Sequence, residues 1–353
     1  MARRKMNSDE RLRAFLSNQK VDRVPFIPFI LGYCQKLSTC KLGDIYADPG
    51  KSFKAQMEAR EIHGYEGFPF FGYSSYGAWE FGGEIAFPYG EFDQAPKIKK
   101  HPLKGLEEIE KLEVPDVRKA GIIPRMMEFS KLQERYGMPI TVHNGSPFSR
   151  IGNVIELSTV LKMLIKSPDL VHLLMRKITD FCLRVTEYWV EEFGPERIIS
   201  FDGTPVESEQ LLSPKQFEEF AFPYLKEMHQ KVTEMGIRNF WTHLCGRQEN
   251  NLRLLAELPY GKPGIVSLSE QIDLELGHRY FGQKYAIAGN VNPQIIQMGS
   301  CQEVFEATRK ALLTGKEFEN GFVLMGGCEI PPTVPPINIH YMMKAVEEFG
   351  YYE

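Results

Sequence analysis

Arg197-Ile198-Ile199-Ser200-Phe201-Asp202 and Gly264-Ile265-Val266-Ser267-Leu268-Ser269 are short, nearly unbroken apolar runs, each ending in a polar residue. Continuous apolar strands are what a parallel sheet covered on both faces requires. Working outward, similar segments recur at Val24–Leu31, Gly67–Tyr73, Pro139–Asn144, Asn239–Cys245, Tyr285–Asn290 and Phe322–Cys328. Between them lie stretches with apolar residues at helical spacing, clearest at Ile151–Lys166, Asp169–Phe193, Pro214–Glu234 and Cys301–Leu313. Eight strands alternating with helices predict a single-domain (β/α)₈ TIM barrel, an α/β fold whose active site lies at the carboxyl ends of the strands.

Two regions fit the repeat poorly. Tyr73–Pro96 is rich in Gly, Phe, Tyr and Trp and reads as a long loop or hairpin inserted after the second strand, of a length that suits a functional lid. Pro96–Lys119 carries Lys97, Lys99, Lys100 and Lys104 ahead of Glu107, Glu108 and Glu110, a solvated excursion over the surface.

Composition narrows the classes. The chain has 353 residues, 43% hydrophobic and 25% charged, with 42 basic against 46 acidic residues and a formal net charge of −4. Nothing there suggests a nucleic-acid surface. The basic start, Ala2-Arg3-Arg4-Lys5, is followed by no apolar run, and no stretch approaches membrane-spanning length, so a reducing cytoplasm is the expected home. Six cysteines in a chain this long do not form a disulfide framework.

Two of those cysteines stand out. His243 and Cys245 sit at i and i+2 in Phe240-Trp241-Thr242-His243-Leu244-Cys245-Gly246, so on a strand they project to one face. Cys328 ends another apolar strand, Phe322-Val323-Leu324-Met325-Gly326-Gly327-Cys328. Three such ligands from two strand ends suit zinc with an open fourth position. The plainer alternative is that both thiols are small buried hydrophobes and the imidazole is merely hydrogen-bonded. Cys34, Cys40, Cys182 and Cys301 have no strand-end partner and read as structural.

Further motifs carry a resemblance. Asp9-Glu10-Arg11-Leu12-Arg13-Ala14-Phe15 precedes Val21-Asp22-Arg23-Val24-Pro25 and the Leu103–Pro115 excursion. Then come Leu212-Ser213-Pro214 with Phe222-Pro223-Tyr224, Gly289-Asn290-Val291-Asn292-Pro293, and Gly326-Gly327-Cys328. In order and spacing these resemble the uroporphyrinogen decarboxylase superfamily over nearly the whole chain. True decarboxylases of that superfamily resemble one another in an arginine-bearing loop after the first strand, whereas Val24 to Ala59 holds no arginine here. A polyanionic tetrapyrrole would be poorly paired there. The His243, Cys245 and Cys328 set instead looks like the zinc site of the corrinoid-linked methyltransferases of the superfamily. That resemblance implies zinc in this chain and cobalamin on a separate corrinoid protein, since no corrinoid-binding helical domain is visible.

Zinc with two thiolates and a neutral imidazole carries roughly no net charge and is a tempered Lewis acid. It suits either of two reactions: methylating a thiol, or removing a methyl group from an ether oxygen for transfer to Co(I). The rings of Phe68–Pro88, with Tyr76, Trp79 and Phe81 as candidate substrate contacts, together with Trp241 and His143, favour a small methylated substrate of the aryl methyl ether type. A methylcobalamin:coenzyme M methyltransferase is the alternative, with Arg150 or Arg247 as partner for the sulfonate. A decarboxylase and a non-catalytic zinc barrel rank below. Glu84, Asp202 and Glu270 are candidate catalytic carboxylates, able to protonate or orient a leaving oxygen or to fill the fourth zinc position. A monomer or homodimer is equally compatible with the sequence.

Overall fold

The computed structural model describes residues 5–90 and 92–352, so the basic start Ala2-Arg3-Arg4 lies outside the described residues. A short antiparallel hairpin, β1 (Glu84–Ala86) with β2 (Lys97–Lys100), precedes a parallel sheet of six strands in sequence order. These are β3 (Ile140–His143), β4 (Ile198–Gly203), β5 (Asn239–Leu244), β6 (Gly264–Leu268), β7 (Ala286–Val291) and β8 (Phe322–Gly326). Helices cover the outer face; the longest is Pro168–Phe193. The expected Ile151–Lys166 helix is two helices, Pro147–Val154 and Leu157–Lys166. The expected Pro214–Glu234 helix carries a π-turn at Phe217–Ala221, where Pro223 has no N–H to offer the preceding turn.

The first two expected strands, 24–31 and 67–73, form no regular ladder beyond a single bridge from Phe26 to Leu324. Their prolines explain this: Pro25, Pro28 and Pro69 lack the N–H that a ladder needs. Backbone bonds join the first segment to β8, with Ile27 N donating to Leu324 O at 3.0 Å and Leu324 N to Pro25 O at 2.9 Å. Glu66 N donates to Phe26 O at 2.8 Å, linking the second segment to the first. Side-chain amides do the rest. Gln56 receives Phe70 N at 2.8 Å and donates to Phe70 O at 2.7 Å. Gln133 donates to Pro69 O at 2.7 Å while accepting Thr141 N at 3.2 Å, which joins the second segment to β3. The barrel is therefore built from six ladder strands and two proline-interrupted ones.

Two apolar layers follow from strand alternation. The inner cluster contains Ile27, Ile199, Trp241, Ile265, Ala286, Ala288, Val323 and Met325, and the helix Ser8–Leu16 plugs the amino-terminal end with Leu12 and Phe15. The larger cluster lies between sheet and helices. Asn7 caps the plug helix, accepting from Glu10 N at 2.9 Å.

The motifs at Arg11 and at Asp22-Arg23 prove architectural. Arg11 pairs with Asp22 at 2.6 Å and with Glu66 at 2.5 Å, and Arg23 reaches Glu66 at 2.7 Å. Glu66 also accepts Phe26 N at 2.8 Å and is fully buried. Its removal leaves two buried guanidinium groups short of a partner. Glu66→Ala is therefore expected to destabilise the barrel by about 3–5 kcal/mol, read as a lower urea midpoint at unchanged slope.

Candidate metal centre and cleft

Alternation along β5 sends Trp241 and His243 inward, and Cys245 follows just past the strand end. Gly246 turns the chain there at φ +67°, a conformation that favours glycine. Gln248 fixes the Cys245 backbone by donating to its carbonyl at 3.1 Å. On β8 the inward residues are Val323 and Met325, and Gly327 brings the chain past Glu270 to Cys328. A Cβ at position 327 would fall 2.4 Å from Glu270 N, so this close approach needs glycine.

The ligand atoms of His243, Cys245 and Cys328 all lie within 4.8 Å of one another. A tetrahedral zinc with bonds of about 2.3 Å holds two sulfurs about 3.8 Å apart, so small side-chain rotations suffice to close the set. The imidazole is already arranged for it. Nδ1 faces Ser267 Oγ at 2.9 Å, and Ser267 in turn donates to Met325 Sδ at 3.3 Å. That chain makes Nδ1 the protonated nitrogen and leaves Nε2 with a free lone pair. Nε2 is buried and has no hydrogen-bond partner, a costly state that a metal relieves. A hydrogen bond from Cys245 holds the Cys328 thiol below the usual thiol range. Cys245 is pushed up by serving that thiolate, by burial, and by the nearby negative charge of Glu270. The donor set fits zinc, and His243, Cys245 and Cys328 are the residues that would hold it.

Beside this triad opens a narrow cleft of about 40 Å³. Its walls are Ile27, Pro28, Phe29, Phe68, Phe70, Phe201, Trp241 and Met325, with His243, Ser267 and Cys328 at the metal side. Phe70 meets Phe201 at 4.7 Å and Phe29 at 5.5 Å, and Phe68 meets Trp241 edge-on at 5.8 Å. No lysine or arginine lines it among the described residues.

Other expected site residues scatter. Asp202 faces away from the mouth: alternation puts Ile199 and Phe201 inward, so Asp202 points to the helical layer. There it is fully buried against His229 Nε2 at 2.8 Å and the Thr242 hydroxyl. Glu84 is also displaced, exposed on the hairpin beside Lys99 at 3.5 Å and Lys100 at 3.8 Å. Glu270 does reach the site, half-buried against Gly327. Phe68 and Phe70, ahead of the aromatic insertion, line the cleft, but Tyr76 and Phe81 pack on Phe181 of the long helix at 5.9 and 5.0 Å. Trp79 meets Phe87 at 6.5 Å. Buried Glu80 pins this stretch down, accepting Gly77 N at 2.6 Å and Ile122 N at 3.0 Å. Trp241 is in the cleft wall, and His143 lies beside Phe70 and Phe201. Arg150 is buried, donating to the carbonyls of Asn144, Tyr76 and His143, whereas Arg247 is exposed two residues beyond Cys245.

Sequence reasoning passed over Phe29, Phe201, Ser267 and Met325, although the period of two that selected His243 also selects Ser267 and Met325. It also passed over Glu329, next to Cys328. This carboxyl accepts from Tyr46 Oη at 3.0 Å and is pushed up to about 7 by burial.

Because Ser267 sets the His243 tautomer, Ser267→Ala is expected to weaken zinc binding about 10–100-fold, read by chelator competition. Cys328→Ala should lose zinc outright with the far-UV spectrum unchanged.

The chain matches the family profile described as "Uroporphyrinogen decarboxylase (URO-D)" over residues 7–349. It is 25% identical over 352 residues to the methylcobamide:CoM methyltransferase MtbA of Methanosarcina mazei, covering 97% of this chain and 98% of the relative. The MtbA of Methanosarcina acetivorans is 26% identical over 351 residues, covering 97% and 98%. The uroporphyrinogen decarboxylase of Geobacter sulfurreducens is 23% identical over 262 residues, covering 72% of this chain and 73% of that one. A solved methyltransferase structure from Methanosarcina mazei superposes with a TM-score of 0.79 at 23% identity, covering 98% of this chain and 99% of the other. With the profile spanning nearly the whole barrel, the chain belongs to the uroporphyrinogen decarboxylase family.

Proposed function

We propose that this protein is a zinc-dependent, corrinoid-linked methyltransferase that takes a methyl group from an aryl methyl ether for transfer to the Co(I) corrinoid of a separate protein. The observation that carries this reading is the juxtaposition of the His243–Cys245–Cys328 triad with an aromatic cleft free of cations. Zinc, when bound, supplies a Lewis acid at the ether oxygen. The chain's own residues do the remaining work. Phe29, Phe70 and Phe201 form a slot for a flat ring, excluding water from it. Glu270 is the carboxyl placed to give the leaving oxygen a proton or to occupy the fourth metal position before substrate arrives. Asp202 and Glu84, turned elsewhere, take no part.

The relatives' names support the corrinoid linkage and favour a second reading, methylation of a thiol such as coenzyme M. Exposed Arg247 at the rim is the cation such a sulfonate would use. The cleft itself argues for the ether, because burying a sulfonate among phenyl rings without a cation is costly. A tetrapyrrole with many carboxylates is excluded by the same reasoning, and a purely structural zinc site needs a fourth fixed ligand beyond the three that converge. No helix among the described residues is long and apolar enough to cross a membrane; a cytoplasmic location is proposed with the activity.

The zinc-loaded protein, mixed with a methoxylated benzene and reduced free cobalamin, is expected to convert the Co(I) absorbance into that of methyl-Co(III). Without cobalamin no demethylation should occur, because the chain holds no acceptor for the methyl group. Turnover restricted to methylcobalamin and 2-mercaptoethanesulfonate would overturn the ether reading in favour of the thiol one.

A further inference from the structure

The three most exposed large apolar side chains among the described residues are Tyr89, Met298 and Phe92, at 93, 84 and 83%. They are distant in sequence, yet one edge of the barrel carries all three. Tyr89 and Phe92 stand on the turn between β1 and β2. The Tyr46 hydroxyl lies 2.8 Å from Gln94 O of that turn and 3.0 Å from the carboxyl of Glu329, which follows Cys328. A Cβ on Gly32 would fall 2.7 Å from Pro332 and 2.9 Å from the same Tyr46 hydroxyl, so the turn and the loop after β8 share one packing point. From there the contacts continue. Gln297 donates to the Thr333 hydroxyl, and Asn338 donates to Ile296 O at 2.8 Å and to Gly299 O at 3.1 Å. The short helix Pro293–Met298 is thereby tied to the loop and to the first turn of the helix Pro336–Phe349. That sets Met298, with exposed Ile295 and Ile337, along the same rim. The crescent follows the chain as it leaves Cys328, at the carboxyl mouth of the barrel.

Both ends of the crescent are stiff. Asp93 closes the turn by accepting Tyr89 N at 3.0 Å, Gly90 N at 2.9 Å and the Lys97 ammonium at 2.6 Å. The other end reads Pro331-Pro332-Thr333-Val334-Pro335-Pro336, with Val334 N bonded to Pro331 O at 3.1 Å. Large side chains on fixed backbone lose little freedom on association, and aromatic rings are frequent anchors of protein interfaces. The charge left over beside them is positive. Lys36 and Lys41 are exposed and without an ion pair among the described residues, and Lys41 lies two positions from Gly43, which packs against Pro88 O of the turn. The nearby acids are engaged, Asp44 by Lys51 at 3.2 Å and Asp93 by Lys97.

Location selects what covers this surface. In the proposed reaction the methyl acceptor is carried by another protein and has to reach the metal centre at the carboxyl mouth, which the crescent flanks on the Cys328 side. Five side chains, against roughly 20–30 residues a side in a standard interface, suit a contact that forms and releases at each turnover rather than a permanent dimer.

We propose that Tyr89, Phe92, Ile295, Met298 and Ile337 form the docking surface for the corrinoid-carrying protein, which meets it with an apolar patch edged by carboxylates opposite Lys36 and Lys41. This deepens the corrinoid-linked reading, rests on it, and holds for methyl transfer in either direction. The test is methyl transfer by the zinc-loaded protein, followed by corrinoid absorbance, with free cobalamin and with the host's corrinoid proteins purified and loaded with cobalamin. Methoxybenzene serves as methyl donor in one direction and 2-mercaptoethanesulfonate as acceptor in the other. Tyr89→Ser combined with Phe92→Ser is expected to raise KM for the corrinoid protein about tenfold, and Met298→Ser about threefold, with kcat and the rate on free cobalamin at wild-type values. Ile62→Ser, 60% exposed at the end of the helix Pro49–His63, should change neither. An equal loss with free cobalamin makes the crescent part of the chain's own pocket and overturns the inference. So does an unchanged KM in both rim variants, or a dimer in light scattering that the double variant dissolves while KM holds. A wild type active on free cobalamin but on none of the corrinoid proteins also overturns it and leaves the functional reading standing. If no corrinoid, free or protein-bound, exchanges a methyl group in either direction, the underlying reading falls with it.

Discussion

Parity along the strands is the constraint on which the rest depends. Side chains alternate across a sheet, and in this barrel the inward set on β4, β5, β6 and β8 runs Ile199 and Phe201, Trp241 and His243, Ile265 and Ser267, Val323 and Met325. The lower members fill the core, and the upper members line a cleft whose floor is that core. A slip of one residue on β5 would turn His243 into the helical layer and bring Thr242 into the cleft. The candidate metal ligands, the imidazole's Ser267 partner and the aromatic wall are thus consequences of one register, fixed by the pairing of β4 with β5 and β5 with β6.

Where the ladder fails, the protein substitutes side chains for backbone. The proline-bearing segments 24–31 and 67–73 carry Phe29, Phe68 and Phe70 into the cleft, yet cannot make a full set of strand hydrogen bonds. Gln56, Gln133 and Glu66 take over the unmatched peptide groups, each from a buried position. Buried polar groups of this kind are costly unless every partner is present. The arrangement trades regularity for a wall of three phenyl rings held by stiff, proline-set backbone.

The cleft also has a definite electrostatic character. Two thiolates would cancel the charge of a bound zinc, burial pushes His143 below the usual histidine range, and Arg150 is tied to carbonyls behind the wall. What remains is an apolar slot with its polar groups, His243, Ser267 and Cys328, on one side and the carboxyl of Glu270 near Cys245. Such a site rewards ring stacking and neutral polar contacts and penalises anions. That is the physical reason the ether reading is preferred here although the named relatives act with coenzyme M.

The sequence by itself determined the barrel, most of the helical stretches and the convergence of His243, Cys245 and Cys328. Each of these is a local periodic signal: unbroken apolar runs, helical spacing, and an i, i+2 pair at a strand end. It also marked Trp241, which lies on the same strand face as His243 and lines the cleft. Only the tertiary structure decided the fate of Asp202, Glu84 and the aromatic insertion. Asp202 is one residue out of phase with Phe201, and its partner His229 lies on a helix 27 residues away in sequence. Tyr76, Trp79 and Phe81 look identical in sequence to cleft rings, and what draws them to Phe181 and Phe87 is packing between distant segments, pinned by Glu80. The walls supplied by Phe29 and Phe201 were likewise illegible, because a phenylalanine in a strand does not reveal which face it takes until the register is set by its neighbours.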